Sequence, residues 1–313
     1  MLDIEYLLWL QNFREATGNF LTPLMEWVSV FSIRWLLIVP VVLYWCINKR
    51  DGLFSMTSLG VSRVLNAVSK LTVCAYRPWI RDARIIPAGD SIKTATGYSF
   101  PSGHVMTATP VYASVAALYG KKFKLITWLC GLGLFLTVLS RNYLGVHTPQ
   151  DVIVGALMGI FAVYLTAKVF AYLDKNPEKE NQLIILGLLC CVATVAYALL
   201  KSYPMDYVNG KLIVNPKSMM NDSFGDVGLF SGVLIGRYLE KKFVKFSPTG
   251  LNNFKGLLIS AVGIAVYCWI MFEFRGVIRG FMPSNMSRFL ANFVRNFFVI
   301  FLWPIVIKLT CKK

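Results

Sequence analysis

Only two histidines occur in the 313 residues, and one of them, His147, stands four residues before an aspartate in "SRNYLGVHTPQD". A carboxylate at this spacing can accept the Nδ1–H of the ring and leave Nε2 unprotonated and nucleophilic, as in catalytic triads. Thr148, Pro149 and Asp151 also have the residue types of a helix start. That simpler interpretation accounts for Asp151 but not for His147 or Arg141, so the stretch is a candidate nucleophile site.

The second histidine, His104, lies in "GYSFPSGHVMTA", where a polar loop changes into an apolar run. Ser102 is a good N-cap residue, and the free N–H groups of a helix start can bind an anion. Gly103 lets the backbone approach a ligand closely, and a histidine in the first turn can hold a proton near neutral pH. Taken alone, the stretch fits a capped membrane helix with an interfacial histidine equally well.

A third stretch, "KLTVCAYRP", carries two cations seven residues apart. Seven residues are nearly two helical turns, so Lys70 and Arg77 lie on one face, and Arg63 and Asn66 continue that stripe. Pro78 then ends the helix. An isolated pair of this kind is typical of interfacial cations whose charges reach toward water. Together with both histidines and an aspartate, however, it indicates a functional site, because charged groups at membrane-helix ends are costly.

The composition indicates that these stretches belong to a membrane protein. Of the residues, 56% are hydrophobic and only 15% are charged, with a mean hydropathy of +0.57. Soluble domains have about 25% charged residues. The net charge of +16 comes largely from lysines in short connectors, which is typical of topology signals and not of nucleic-acid binding. The seven cysteines lie mostly in apolar runs without a C-x-x-C, so neither a disulfide framework nor a zinc knuckle is expected.

A helix needs about 20 mostly apolar residues to cross a bilayer, and that criterion predicts an all-α polytopic bundle with about nine spans. We predict these spans at residues 32–48, 53–75, 104–120, 123–140, 152–173, 183–201, 224–240, 256–273 and 289–309. We interpret the first fifteen residues as an amphipathic helix at the membrane interface and not as a cleavable signal. Residues 19–31 contain Pro23 and Glu26 and are expected to form a partial or re-entrant element.

This pattern predicts three regions in the chain. They are an N-terminal interfacial or re-entrant segment (1–31), a catalytic helical core (32–173) and additional transmembrane helices (174–313). Gly228, Gly232 and Gly236 give small-residue spacings that let helices approach closely. We favour packing within the chain for this face over a homo-oligomer interface, which stays open as an alternative.

The lysine-rich connectors predict which side the motifs face. Such connectors belong in the cytoplasm, which leaves residues 77–103, 141–151, 202–223 and 274–288 outside. All three motifs then lie at the extracytoplasmic face. The loop predicted over 202–223 lies on that face and is expected either to cover the site or to act only as a connector.

In order and spacing the motifs resemble the signatures of the type 2 phosphatidic acid phosphatase superfamily over about residues 20–173. The longer chain is similar in plan to its sphingosine-1-phosphate phosphatase and glucose-6-phosphatase branches. The signatures K-x6-R-P, P-S-G-H and S-R-x5-H-x3-D are met by Lys70, Arg77, Pro78, Pro101, Ser102, Gly103, His104, Ser140, Arg141, His147 and Asp151.

The resemblance implies a phosphate-binding set, made of Lys70, Arg77, Ser102, Gly103 and Arg141. It implies neither a metal nor another cofactor, because arginine and lysine neutralise the charge on the equatorial oxygens. The residues agree with this, since both histidines are already assigned and no acidic cluster offers oxygen ligands to Mg²⁺.

The resemblance also implies a catalytic set made of both histidines and one aspartate. His147, oriented by Asp151, would attack phosphorus, and His104 would protonate the leaving oxygen and then activate water. We therefore expect an integral membrane phosphatase in the bacterial plasma (inner) membrane. Its substrate would be a lipid phosphate or diphosphate in the bilayer, of the prenyl, phosphatidate or sphingoid type.

Three other functions stay open at this point. The chain could transfer the phosphoryl group to an alcohol, hydrolyse a soluble sugar phosphate, or bind or flip lipids without catalysis. The intact His147, Asp151 and Arg141 argue against the last of these.

Overall fold

The structure is a computed structural model, and it describes residues 2–208 and 210–311. In chain order its longer helices are α1 (Leu2–Ala16), α2 (Thr22–Ile47), α3 (Lys49–Val73), α4 (Gly103–Tyr119), α5 (Lys124–Tyr143), α6 (Pro149–Lys175), α7 (Pro177–Leu200), α8 (Pro216–Leu239), α9 (Phe254–Ile278) and α10 (Ser284–Thr310). Two short helical turns, Pro78–Arg81 and Ser91–Thr94, lie between α3 and α4. Strands β1 (Tyr207–Val208) and β2 (Lys211–Leu212) form an antiparallel hairpin before α8.

The predicted helical membrane bundle is confirmed, whereas the count of nine spans is not. Six helices in the described part of the chain are long and apolar enough to cross a membrane, namely α2, α5, α6, α7, α9 and α10. Helices α3, α4 and α8 lie at predicted span positions without meeting that criterion. With 17 residues, α4 is shorter than the usual span of about 20. Helices α3 and α8 carry buried charged residues, including Lys70 and Asp226.

Helix α2 begins earlier than expected. The sequence predicts a separate partial or re-entrant element over 19–31, whereas the structure has a helical segment from Thr22 to Ile47 that is interrupted by a turn at Arg34 and a 3-10 segment, Trp35–Leu37. Pro23 occupies the first turn, where its missing N–H costs no hydrogen bond. The Glu26 carboxylate accepts a hydrogen bond from the Asp90 backbone N–H, so the charge that suggested a break has a partner. The predicted boundary at residue 31 therefore lies two residues before the end of the first α-helical part, at Ile33.

The three helices that do not meet the membrane-span criterion form the centre of the bundle. Helix α3 packs against α4, α6 and α8, and α4 also packs against α5 and α6. The contact between α6 and the start of α4 is close, since a Cβ at Gly155 would lie 3.3 Å from the Ser102 carbonyl oxygen. Glycine at this position thus lets two of the sequence motifs meet.

Helix α8 packs along α10 through the predicted small-residue face. A Cβ at Gly228 would lie 2.3 Å from the Phe289 carbonyl oxygen, and one at Gly232 would lie 2.5 Å from that of Phe293. The favoured interpretation, close packing within the chain, agrees with these contacts.

Helix α1 packs against the loop that follows the stretch "KLTVCAYRP". Gln11 and Arg14 donate side-chain hydrogen bonds to the carbonyl oxygens of Arg84 and Ile86. On its other side Tyr6, Trp9 and Phe13 are exposed. An exposed aromatic row opposite a polar contact face is typical of a helix at a membrane interface.

Candidate active site

Backbone hydrogen bonds join the three motifs at one end of the bundle. The Ser102 N–H donates to the Asp151 carbonyl oxygen at 2.9 Å, which ties the start of α4 to the first turn of α6. The Ser99 N–H donates to the Ala75 carbonyl oxygen at 2.7 Å, which ties the same loop to the end of α3. Residues from three separate stretches of the chain are thereby held at one place.

Asp151 both caps α6 and faces His147. Its Oδ2 lies 3.3 Å from His147 Nδ1 and accepts hydrogen bonds from Thr148 N at 2.8 Å and Ser99 Oγ at 2.6 Å. Thr148 completes the capping box through its side chain. The two interpretations of this stretch therefore apply together, because one carboxylate oxygen fixes the helix start and the histidine ring.

Two buried cations hold the loop around His147. Arg77 donates to the carbonyl oxygens of Thr96, Gly97 and Val146, and its Nη1 lies 2.8 Å from His147 Nε2. Lys70 Nζ donates to the carbonyl oxygens of Tyr98 and Pro101 at 3.0 Å each. These backbone contacts fix the positions of both charges next to the histidine.

Three further side chains have buried polar atoms without a hydrogen-bond partner in the described residues. These atoms are Ser102 Oγ, His104 Nε2 and both Nε and Nη2 of Arg141. Arg141 donates through Nη1 to Ser29 Oγ. Ser102 occupies the N-cap position of α4, but its hydroxyl makes no capping hydrogen bond. Buried polar groups are nearly always paired, so this cluster fits an anionic ligand with several acceptor oxygens.

The surroundings of His147 keep its ring neutral. Burial lowers the pKa of His147 well below 6.5, and the Arg77 charge lowers that pKa further, while Asp151 partly opposes both effects. A neutral ring keeps a lone pair on one nitrogen at neutral pH, as a nucleophile requires. At His147 Nε2 this lone pair faces Arg77 Nη1.

Arg77 keeps its charge beside this neutral ring. Burial lowers the pKa of Arg77 to about 10, partly opposed by Asp151. This pKa still leaves the guanidinium protonated at neutral pH, so a fixed positive charge adjoins the candidate nucleophile.

A cavity of about 300 Å³ adjoins these residues. Five of the eight predicted site residues lie in its wall, namely Lys70, Arg77, Gly103, His104 and His147. Asp151, Ser102 and Arg141 are buried but do not contribute to that wall. The opposite wall comes from α8 and α10. The sequence predicts the C-terminal helices only as additional spans, but the structure makes them part of the cavity.

Several residues that contact the site were not among those predicted from the sequence. Ser99 contacts Asp151, and Asn142 donates to the His147 carbonyl oxygen at 2.9 Å. Asp226 of α8 pairs with Arg63 of α3 at 2.6 Å. No spacing in the sequence relates Asp226 to Arg63, because their contact depends on how the two halves of the bundle pack.

No metal-binding cluster is evident in residues 2–208 and 210–311. In that part of the chain no group of three or more histidine, cysteine, aspartate or glutamate side chains is placed to hold an ion.

The fold and the site define a helical integral membrane protein with a buried, cation-rich cavity that contains both histidines. The PAP2 superfamily model matches residues 51–175, which include all three motifs, and these residues form a domain of that superfamily.

Curated relatives support this assignment. The chain is 30% identical over 144 residues to phosphatidylglycerophosphatase B of Bacillus subtilis, covering 44% of this chain and 66% of that protein. It is 28% identical over 154 residues to an undecaprenyl-diphosphatase of Sulfolobus acidocaldarius, covering 48% and 70%. It is 29% identical over 167 residues to glucose-6-phosphatase catalytic subunit 1 of Felis catus, covering 45% and 46%. No solved structure matches significantly. The chain therefore carries a PAP2 superfamily domain over residues 51–175, and the curated relatives that it resembles there are named as phosphatases.

Proposed function

We propose that the protein hydrolyses a lipid phosphate monoester or diphosphate through a phosphohistidine intermediate, without a metal ion. The observation that carries this proposal is the group of buried polar atoms of Ser102, His104 and Arg141, unpartnered among the described residues, close to a neutral His147. Relatives named as phosphatases of phosphatidylglycerophosphate and undecaprenyl diphosphate support a lipid substrate.

His147 is the proposed nucleophile. Its Nε2 forms a bond to phosphorus as the bond from phosphorus to the leaving oxygen breaks. Asp151 accepts the Nδ1–H, which orients the ring and stabilises the positive charge that develops on it. Arg77 Nη1, 2.8 Å from Nε2, then moves onto a phosphoryl oxygen.

His104 is the proposed acid and base. It gives a proton to the leaving oxygen, so that the dephosphorylated lipid departs as a neutral alcohol or, from a diphosphate, as a lipid monophosphate. It then accepts a proton from water, whose oxygen attacks the phosphohistidine and releases inorganic phosphate and free His147. The buried Nε2 of His104, which has no hydrogen-bond partner within residues 2–208 and 210–311, is the proposed proton-carrying atom.

Lys70, Arg77 and Arg141 are proposed to bind the phosphoryl oxygens, with Ser102 and Gly103 adding a hydroxyl and a backbone N–H. Fixed cations in a site shielded from water stabilise the charge that spreads over the equatorial oxygens. The three cations thus supply the charge neutralisation that a metal ion supplies in other phosphatases.

Chelation and vanadate test this mechanism directly. We expect phosphate release by the purified protein to be unchanged in excess EDTA. We also expect orthovanadate to inhibit it, because vanadate adopts the trigonal bipyramidal geometry of phosphoryl transfer. The measurement is inorganic phosphate released from a panel of lipid phosphates. Loss of activity in EDTA that Mg²⁺ or Zn²⁺ restores would contradict a metal-independent reaction.

A phosphatase of soluble sugar phosphates is the second candidate function, favoured by the glucose-6-phosphatase relative. The same panel separates the two. Adding glucose 6-phosphate to it, with detergent-solubilised protein, gives the ratio of kcat/KM for the sugar and lipid substrates.

We propose that the site faces the outside of a bacterial plasma membrane. The support is the placement of lysine-rich connectors at the other helix ends. Asp90 and Lys217 are exposed near the site, and Lys121 is exposed in a predicted cytoplasmic connector. Asp90→Cys and Lys217→Cys should react with a membrane-impermeant maleimide in intact cells, and Lys121→Cys only after permeabilisation. The reverse pattern would place the site in the cytoplasm.

A further inference from the structure

The cavity wall contains one cation, Arg295, that has no partner among the residues that the structure describes. Five lysine or arginine side chains line the cavity, and four of them have protein partners. Arg63 pairs with Asp226, Arg288 pairs with Asp222, and Lys70 and Arg77 donate to carbonyl oxygens. Arg295 has no hydrogen bond or ion pair within residues 2–208 and 210–311, and its Nε is buried without a partner.

Arg295 belongs to the wall that the C-terminal helices supply. It lies on α10 in line with Arg288 and Asn292, which are seven and three residues earlier and also line the cavity. This spacing places all three on one face of the helix. A charged side chain within a membrane-spanning helix is costly unless it is paired, and such residues usually face a cavity and serve a function. The position of Arg295 in the cavity wall, without a partner among the described residues, thus points to a ligand within the cavity.

The two carboxylates of the same wall are bonded to other groups and not to Arg295 in the described residues. Asp226 is buried and bonded to both Nε and Nη2 of Arg63, and Asp222 is bonded to Arg288 and to Thr96 Oγ1. On the far side of the cavity, Lys70 and Arg77 already stand beside the proposed phosphoryl position. Arg295 therefore adds positive charge beyond what one phosphoryl group at His147 would use.

We propose that Arg295 binds a second anionic group of the substrate, so that the preferred substrate is a lipid diphosphate and not a monophosphate. This inference rests on the proposed phosphatase function and deepens it. A guanidinium forms paired hydrogen bonds with phosphate oxygens. In a diphosphate the second anion is joined to the first through one oxygen, so both groups lie in one cavity. At about 300 Å³ the cavity is at the lower end of the range for ligand sites.

Arg295 acts as a binding residue in this reaction. His147 attacks the terminal phosphorus, the bond from that phosphorus to the bridging oxygen breaks, and the lipid monophosphate leaves with the bridging oxygen. Arg295 holds the phosphate that stays on the lipid. Water then releases the terminal phosphate from His147.

The test compares two substrates that share one lipid chain, a prenyl diphosphate and the matching prenyl monophosphate. For the full-length wild-type protein we expect kcat/KM to be at least about tenfold higher for the diphosphate. Arg295→Gln should raise KM for the diphosphate about 10- to 100-fold, the effect of losing one charged hydrogen-bonding partner. The same substitution should change KM for the monophosphate less than about threefold. Arg295→Lys keeps the charge and should recover part of the loss.

Controls separate this inference from the proposed function and from misfolding. Arg279→Gln removes an exposed arginine outside the cavity and should leave both substrates unaffected. Monophosphate turnover by Arg295→Gln reports that the variant is folded. A wild-type protein that treats the two substrates equally would overturn the inference whatever the variant does, and so would an Arg295→Gln variant that loses or keeps both activities alike. Failure of the wild type to release phosphate from either substrate would contradict the proposed function itself.

Discussion

Replacing His147 by alanine is expected to lower turnover by about 10⁴-fold or more, because removing a nucleophile commonly has effects of this size. The His147 ring is neutral and buried, and its Nδ1 lies 3.3 Å from Asp151 Oδ2. These are the surroundings that a nucleophile requires. The fold should survive the substitution, since Asn142 holds the main-chain carbonyl oxygen of residue 147 and not its ring. The measurement is kcat for a lipid phosphate, together with the melting temperature of the purified variant.

Ser99→Ala is the matched control for this prediction. Ser99 Oγ donates to Asp151 at 2.6 Å and does not belong to the cavity wall, so it positions the carboxylate that orients His147. Loss of the Ser99 hydroxyl should lower kcat about tenfold with little change in KM. A folded His147→Ala variant that keeps activity comparable to Ser99→Ala would refute His147 as the nucleophile.

The three motifs could be predicted from the sequence because each is local. Lys70 and Arg77 are seven residues apart, and His147 and Asp151 are four residues apart, so each pair lies within one short stretch of chain. The predicted shared helix face is wrong for Arg77, because α3 ends at Val73 and Cys74 then adopts a left-handed backbone conformation. The apolar runs likewise predict a helical membrane bundle, because spans have a fixed length requirement. Those features do not depend on distant contacts.

The second wall of the cavity could not be predicted because it depends on packing between distant segments. Asp226 meets Arg63, 163 residues away in the chain, and Arg295 approaches the cavity only through the packing of α10 along α8. A charged residue in an apolar run predicts function in general, but it does not reveal its partner.

The sequence also does not show which side chains at helix starts form capping hydrogen bonds. Ser102 has the residue type and position of an N-cap, yet its hydroxyl makes no capping hydrogen bond, whereas Thr148 does cap α6.

The sequence predicts a loop over 202–223, but its last part is the first two turns of α8, where Met219 and Asp222 line the cavity. Here, as at Ser102, tertiary contacts decide between options that local propensity leaves open.

The two variants in which one histidine is replaced by alanine should be blocked at different steps of the reaction. His147→Ala lacks the proposed nucleophile and should never take up label from a phosphorus-labelled substrate. His104→Ala keeps that nucleophile but loses the proposed acid and base. With a nitrophenyl ester, whose leaving group needs no protonation, this variant should still become phosphorylated.

Release of phosphate from His104→Ala should then be slow. General acid–base catalysis typically raises the rate of a step by about 10²–10⁴-fold. Among the described residues, His104 and His147 are the two histidines in the cavity wall. With His147 phosphorylated, no imidazole in that wall is left to activate water. Label that is acid-labile and base-stable should accumulate on His104→Ala and be absent from His147→Ala. Accumulation on His147→Ala and never on His104→Ala would reverse the two roles, because the phosphoryl group would then be carried by the imidazole at the start of α4.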